Sequence, residues 1–159
     1  MATTMKRILV PVDFSAASRA ALWRATELAT ALGATIDLLH VVDVPKPQHM
    51  AAEFYVPVPL EYLKDVKSQT EDHLRDWLAT ANVPSSAPRE IAEGKPYVEI
   101  VKYARDRGID LIVMGTHGRG GMSHLLLGSV ADKVVRTAPC PVMTVRAEGA
   151  SASPVPGLD

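Results

Sequence analysis

Runs of branched apolar residues alternate with stretches of helical periodicity along most of this 159-residue chain, an order that few folds accept. KRILVPVD (6–13), TIDLLHVVD (35–43), PREIAEG (88–94), DLIVMG (110–115) and PVMTVR (141–146) read as strands. The first, second and fourth are apolar almost throughout, as strands buried on both faces of a parallel sheet must be. Helices fill the gaps. Ser15 or Ser18 caps the first, Ala21, Ala25, Leu28 and Leu32 form its inner stripe, and Gly33 supplies its left-handed stop. The second is predicted from Glu61 to Ala81, where Leu63, Val66, Thr70, Leu74, Trp77, Leu78 and Ala81 share one side. Pro96 starts the third, which carries Val98, Val101 and Ala104 up to Gly108. SVADKVVRT (129–137) makes the fourth, with Val130 and Val134 inward.

This alternation predicts an α/β protein: a three-layer, doubly wound, five-stranded parallel sheet with strand order 3-2-1-4-5 and right-handed crossovers. In that order the chain reverses direction between the first and fourth strands. Their carboxyl ends then open a crevice, with Asp13 and Gly115 on its rim. One domain is expected over 5–146, followed by a disordered tail, 147–159, that is small, polar and proline-rich. Residues 44–60 hold Pro45, Pro47, Pro57 and Pro59 and are expected to form a long loop. Phe54 and Tyr55 within it could fold over a ligand, support a dimer, or anchor a mobile cover.

Composition narrows the partners. With 47% hydrophobic residues, 22% charged residues and a net charge of -1, the chain has no basic excess for coating nucleic acid phosphates or anionic lipid. Neither nucleic acid nor membrane is expected as a partner, and any bound anion must be held by local groups. The run LIVM at 111–114 is far too short to span a bilayer, and MATTMKRILVPVD enters a strand without a cleavage pattern, so a cytoplasmic location is expected. Cys140, between two prolines, reads as a packed small residue. The histidines at 40, 49, 73, 117 and 124 lack the spacing that gathers metal ligands.

GTHGRGGMSHLLLGS (115–129) is the segment with chemistry in it. Gly115 lets the chain leave the fourth strand without a side chain in the crevice, while Gly118 and Gly128 let backbone N–H groups approach an anion. Gly128 and Ser129 also open the fourth helix, whose unpaired amides and positive dipole end form an anion site, with the Ser129 hydroxyl as a further donor. Arg119 is either a mobile cation for that anion or a solvated loop charge. His117 either touches a ligand or faces solvent. A glycine-softened surface loop is the alternative for the whole segment. Two common phosphate motifs are absent: Ser129 stands where a P-loop has lysine, and PVDFSAAS lacks the glycines of a dinucleotide fingerprint. Asp13 could cap the following helix or accept hydrogen bonds from ribose hydroxyls. The companion acids and lysine of a phospho-receiver are missing at MGTHG.

The spacing G-x2-G-x9-G-S after DLIVMGTHGRG closely resembles the universal stress protein family, in its ATP-binding branch. KRILVPVDFS, LLHVVD and APCPVMTVR resemble that family's opening, second and closing strands, so the likeness covers about residues 5–146. It implies the fold of the adenine nucleotide alpha hydrolase-like proteins and a set of contacts. Asp13 with the Pro11 and Val12 backbone would meet the adenosine end, and Val41 would contact adenine through its main chain. Gly115 and Gly118 would line the ribose and phosphates, while Gly128, Ser129 and Val130 would hold the phosphate chain. ATP with Mg²⁺ is the implied ligand. Pairing of two copies through the last strand, Val142 to Val145, is the implied dimer. The function this implies is an ATP-binding regulatory or stress-adaptation protein that signals to a protein partner, with no catalytic residue, because no clear general base lies in the motif. A slow ATPase or adenylyl-handling hydrolase in the same pocket, and a nucleotide-free scaffold, are the alternatives.

Overall fold

The computed structural model describes residues 4–44, 57–117 and 127–147. In chain order the elements are β1 (Arg7–Pro11), α1 (Ala16–Leu32), β2 (Thr35–Val42), α2 (Leu60–Thr80), β3 (Arg89–Glu93), α3 (Pro96–Asp106), β4 (Leu111–Gly115), α4 (Ser129–Thr137) and β5 (Val142–Val145). All neighbouring strands run parallel in the order β3-β2-β1-β4-β5, which is the predicted doubly wound sheet.

Strand alternation divides the interior into two layers. Ile8 and Val10 of β1 with Val12 just beyond it, Ile36 and Leu38 of β2, and Leu111 and Val113 of β4 face α1 and α2, which contribute Ala21, Leu22, Ala25, Leu74 and Leu78. The alternate residues Leu9, Leu39, Ile112 and Met114 face α3 and α4, against Ile100, Ala104, Ala131 and Val134. Small residues on α1 let that helix lie close to the sheet.

The helix punctuation follows from single residues. The Ser15 hydroxyl accepts the Ser18 amide at 3.1 Å to cap α1, and Gly33 ends it at φ 65°. Pro96 occupies the first turn of α3, where its missing N–H costs nothing. Two stripe assignments need correction. Leu32 is 46% exposed and Val98 is 40% exposed, because the buried face of α1 runs through Ala17, Ala21, Leu22, Ala25 and Ala29, and that of α3 through Ile100, Val101, Tyr103 and Ala104. In α4 it is Ala131 that is buried beside Val134, while Val130 is half-buried.

At the amino edge of the sheet, Asp110 Oδ2 accepts the amides of Lys6 and Arg7 at 2.8 and 3.0 Å, tying β1 to the turn before β4. Asp37 on β2 is completely buried, paired with the Arg7 guanidinium and accepting the Tyr103 hydroxyl at 3.0 Å. Burial, and then the Asp37 charge, push the Tyr103 hydroxyl up to about 12. The expected tail beyond Ala147 and most of the proline-rich loop, with Phe54 and Tyr55, lie outside the described residues.

Candidate functional site

A cavity of about 470 Å³ opens where β1, β2 and β4 end, at the point where the strand order reverses. Its size falls within the range of small-molecule sites, roughly 300–1,000 Å³. Pro11, Val12, Asp13, Val41, Gly115, Gly128, Ser129 and Val130 all line it. Residues spread over the chain thus meet at one place. Gly118 and Arg119 lie outside the described residues.

One side of the cavity is apolar: Leu39, Val41, Ile100, Met114 and Ala131. Polar groups gather elsewhere on its wall, from Asp13, Ser15, Asp43, Thr116, His117 and Ser129. Among the described lining residues there is no lysine or arginine, so positive potential comes from backbone. The first turn of α4 supplies it. No side chain caps that helix, and its geometry leaves the amides of Ser129, Val130 and Ala131 without acceptors inside the helix. The first turn of α3, which also has no side-chain cap, brings Pro96 and Ile100 to the same cavity.

The glycines act partly through packing. A Cβ on Gly115 would lie 2.8 Å from the Ala17 carbonyl carbon and 2.9 Å from the Ser18 amide, so glycine lets the first turn of α1 close over the end of β4. Gly128 differs from expectation. Its amide donates to the Thr116 carbonyl at 2.7 Å, so it is already engaged, and the donors left without an acceptor inside the helix are those of the three residues after it. A Cβ there would meet the same Thr116 oxygen at 2.7 Å.

Asp13 is not the cap of α1, a duty that falls to Ser15, but it braces that cap residue and lines the cavity. Its Oδ1 accepts the Ser15 amide at 2.9 Å, which holds the carboxylate at the start of α1. His117 is half-buried, with Nδ1 3.0 Å from Thr116 Oγ1 and Nε2 buried with no hydrogen-bond partner among the described residues. Among the described residues no group of three or more His, Cys, Asp or Glu side chains is arranged to hold a metal, and no helix is long and apolar enough to cross a membrane.

Ser15, Ser18, Leu39, Asp43, Pro96, Ile100, Met114, Thr116 and Ala131 line the cavity without having been read from the sequence as site residues. Leu39 and Met114 were legible in principle: they share strand parity with Val41 and the strand-end position of Gly115. Pro96 carried the signal of a helix start, which a parallel crossover puts at the carboxyl edge.

Comparison with known proteins accords with this architecture. The model of the universal stress protein family matches residues 4–146. Universal stress protein MJ0531 of Methanocaldococcus jannaschii is 35% identical over 141 residues, spanning 89% of this chain and 82% of that protein. The solved structure of universal stress protein UspA from Lactobacillus plantarum has a TM-score of 0.73 at 30% identity, covering 91% of this chain and 99% of that one. That of MJ0577, from Methanocaldococcus jannaschii, has a TM-score of 0.74 at 29% identity, covering 91% and 97%. With the doubly wound sheet already traced and the match running from the first strand to the last, the chain belongs to the universal stress protein family.

Proposed function

We propose that this chain is an ATP-binding regulatory or stress-adaptation protein, in which the bound nucleotide stabilises loop 115–128 and so changes what a protein partner meets. The observation that carries the reading is a single cavity lined by Asp13, by the uncapped start of α4 and by the apolar residues Leu39, Val41, Ile100, Met114 and Ala131. The apolar side suits adenine, with Val41 contributing main-chain contact. Asp13, beside Pro11 and Val12, suits the ribose hydroxyls. The amides of Ser129 and Val130 suit the phosphates, with Gly115, Gly118 and Gly128 keeping the backbone close. Lacking a described lysine or arginine, the cavity needs Mg²⁺ carried with the nucleotide, helped by Arg119, to offset the triphosphate charge.

Binding without turnover is the primary reading, since the glycine motif holds no clear general base to activate water. Two copies pair through β5, Val142–Val145, in the cytoplasm. The two sheet edges differ in a way that favours this: β3 carries Arg89 and Glu90, held in ion pairs with Glu71 and Arg107, whereas β5 is VMTV and has no charge. Extraction of purified protein followed by nucleotide analysis tests the reading, the expected result being adenine nucleotide near the protein's molar amount. Phosphate release in a single-turnover assay would instead favour slow hydrolysis. Protein that neither carries nor takes up nucleotide would leave a scaffold.

A further inference from the structure

On the face of the sheet opposite the cavity, the β1–α1 turn is held by a histidine that the nucleotide reading does not use. The β1–β2 register ends at Pro11 and Leu39, and the Val12 amide still donates to Leu39 at 2.8 Å. The Val12 carbonyl is then met by a side chain: His40 Nδ1 lies 2.6 Å from it. A carbonyl only accepts, so Nδ1 carries the proton. Two residues on, Phe14 adopts φ 63°, a conformation that a bulky residue rarely takes. Its ring lies 5.0 Å from that of His40 and meets Trp77 edge-on at 5.3 Å and His73 at 5.6 Å. Backbone held in a sparsely populated region persists only where its surroundings over-determine it. Between these two anchored residues sits Asp13, and Val12 and Asp13 both line the cavity.

We propose that His40 is a positioning residue for the ligand: by holding the Val12 carbonyl and backing the Phe14 ring, it fixes the Pro11–Asp13 wall that a nucleotide contacts. The inference rests on the nucleotide reading above. His40 touches no ligand itself, since Leu39 and Val41, of opposite strand parity, face the cavity.

Removal of the donor should therefore cost affinity beyond any loss of stability. Asn offers an amide N–H near the position of Nδ1, and Leu offers none. With Mg²⁺–ATP as the probe, calorimetry on nucleotide-freed protein should give His40→Leu an affinity about 5- to 10-fold weaker, as expected for one hydrogen bond, and His40→Asn should recover most of it. Urea midpoints of the two variants should fall together. If His40→Leu does not fold, His40→Gln, whose amide lies one carbon farther out, takes its place. In the nucleotide-free wild type, a ¹⁵N-edited spectrum should show the His40 Nδ1 proton slowed in exchange. Wild type that binds, with both variants binding equally well or weakening in step with stability, overturns the role of His40 alone. A His40 proton on Nε2 only, with Nδ1 bare, overturns it without reference to any nucleotide. Wild type that binds no ATP removes the nucleotide reading and this proposal with it.

Discussion

The amide of Gly128 donates to the carbonyl of Thr116 at 2.7 Å, and this bond brings the start of α4 against the end of β4. The cavity lies at that junction. Since a Cβ on Gly128 would sit 2.7 Å from the Thr116 oxygen, Gly128→Val must push the helix start away from the strand. Affinity for Mg²⁺–ATP should fall about tenfold or more, equivalent to ~1.4 kcal/mol, and isothermal calorimetry measures it. Far-UV circular dichroism should remain that of the wild type.

Gly115→Ala acts on the other side of the same cavity. Its new methyl would contact the Ala17 and Ser18 backbone at 2.8–2.9 Å, and a helix backbone cannot give way as a side-chain tip can. Overpacking of this kind should lower stability by ~1–3 kcal/mol in urea unfolding. Because Ser15 and Ser18 line the cavity, nucleotide affinity should fall in the same variant.

Much of the fold was legible residue by residue, and the failures have physical causes. Ser15, Gly33 and Pro96 each carry a local rule for starting or stopping a helix, and each is where the chain obeys it. Leu32 and Val98 were misassigned because helical spacing identifies a stripe without saying how far toward solvent its margin extends. Glycine spacing marked Gly115 and the α4 start, the strand order put Asp13 on the rim, and Pro11, Val12 and Val41 followed only from the family resemblance; all of these line one cavity. His40 and Phe14 gave no local signal: one binds a carbonyl 28 residues away, and the other holds a backbone angle typical of glycine. Asp37 within TIDLL gave no hint of Arg7 and Tyr103, which reach it only after the sheet has formed.

Tyr103 makes stability sensitive to alkali. Its hydroxyl is raised from 10.0 to about 12 in the folded protein, so the unfolded chain loses that proton first. The resulting contribution is complete below pH 10 and disappears as pH rises from about 10 to about 12. Tyr103→Phe should remove this part of the alkaline slope. At pH 7 the same variant should be less stable by ~1–3 kcal/mol, because buried Asp37 loses a donor. Urea midpoints across pH 7–11.5 for the two proteins check both effects.

Pairing through β5 predicts a different outcome for the edge. Met143→Glu puts a charge on an exposed position of that strand. Sedimentation velocity should record a shift from dimer to monomer at micromolar concentration, with thermal stability of the monomer unit little changed. A variant that still sediments as a dimer would remove β5 as the seam.

The claim at the centre is that the start of α4 and the end of β1 together hold ATP. Calorimetry with ATP on protein stripped of nucleotide, in the presence and absence of Mg²⁺, tests it most directly. The account predicts saturable binding near one nucleotide per chain, weakened when Mg²⁺ is withheld and abolished or strongly reduced by Gly128→Val. Absence of heat at millimolar ATP with Mg²⁺, or binding that Gly128→Val leaves unchanged, would contradict it.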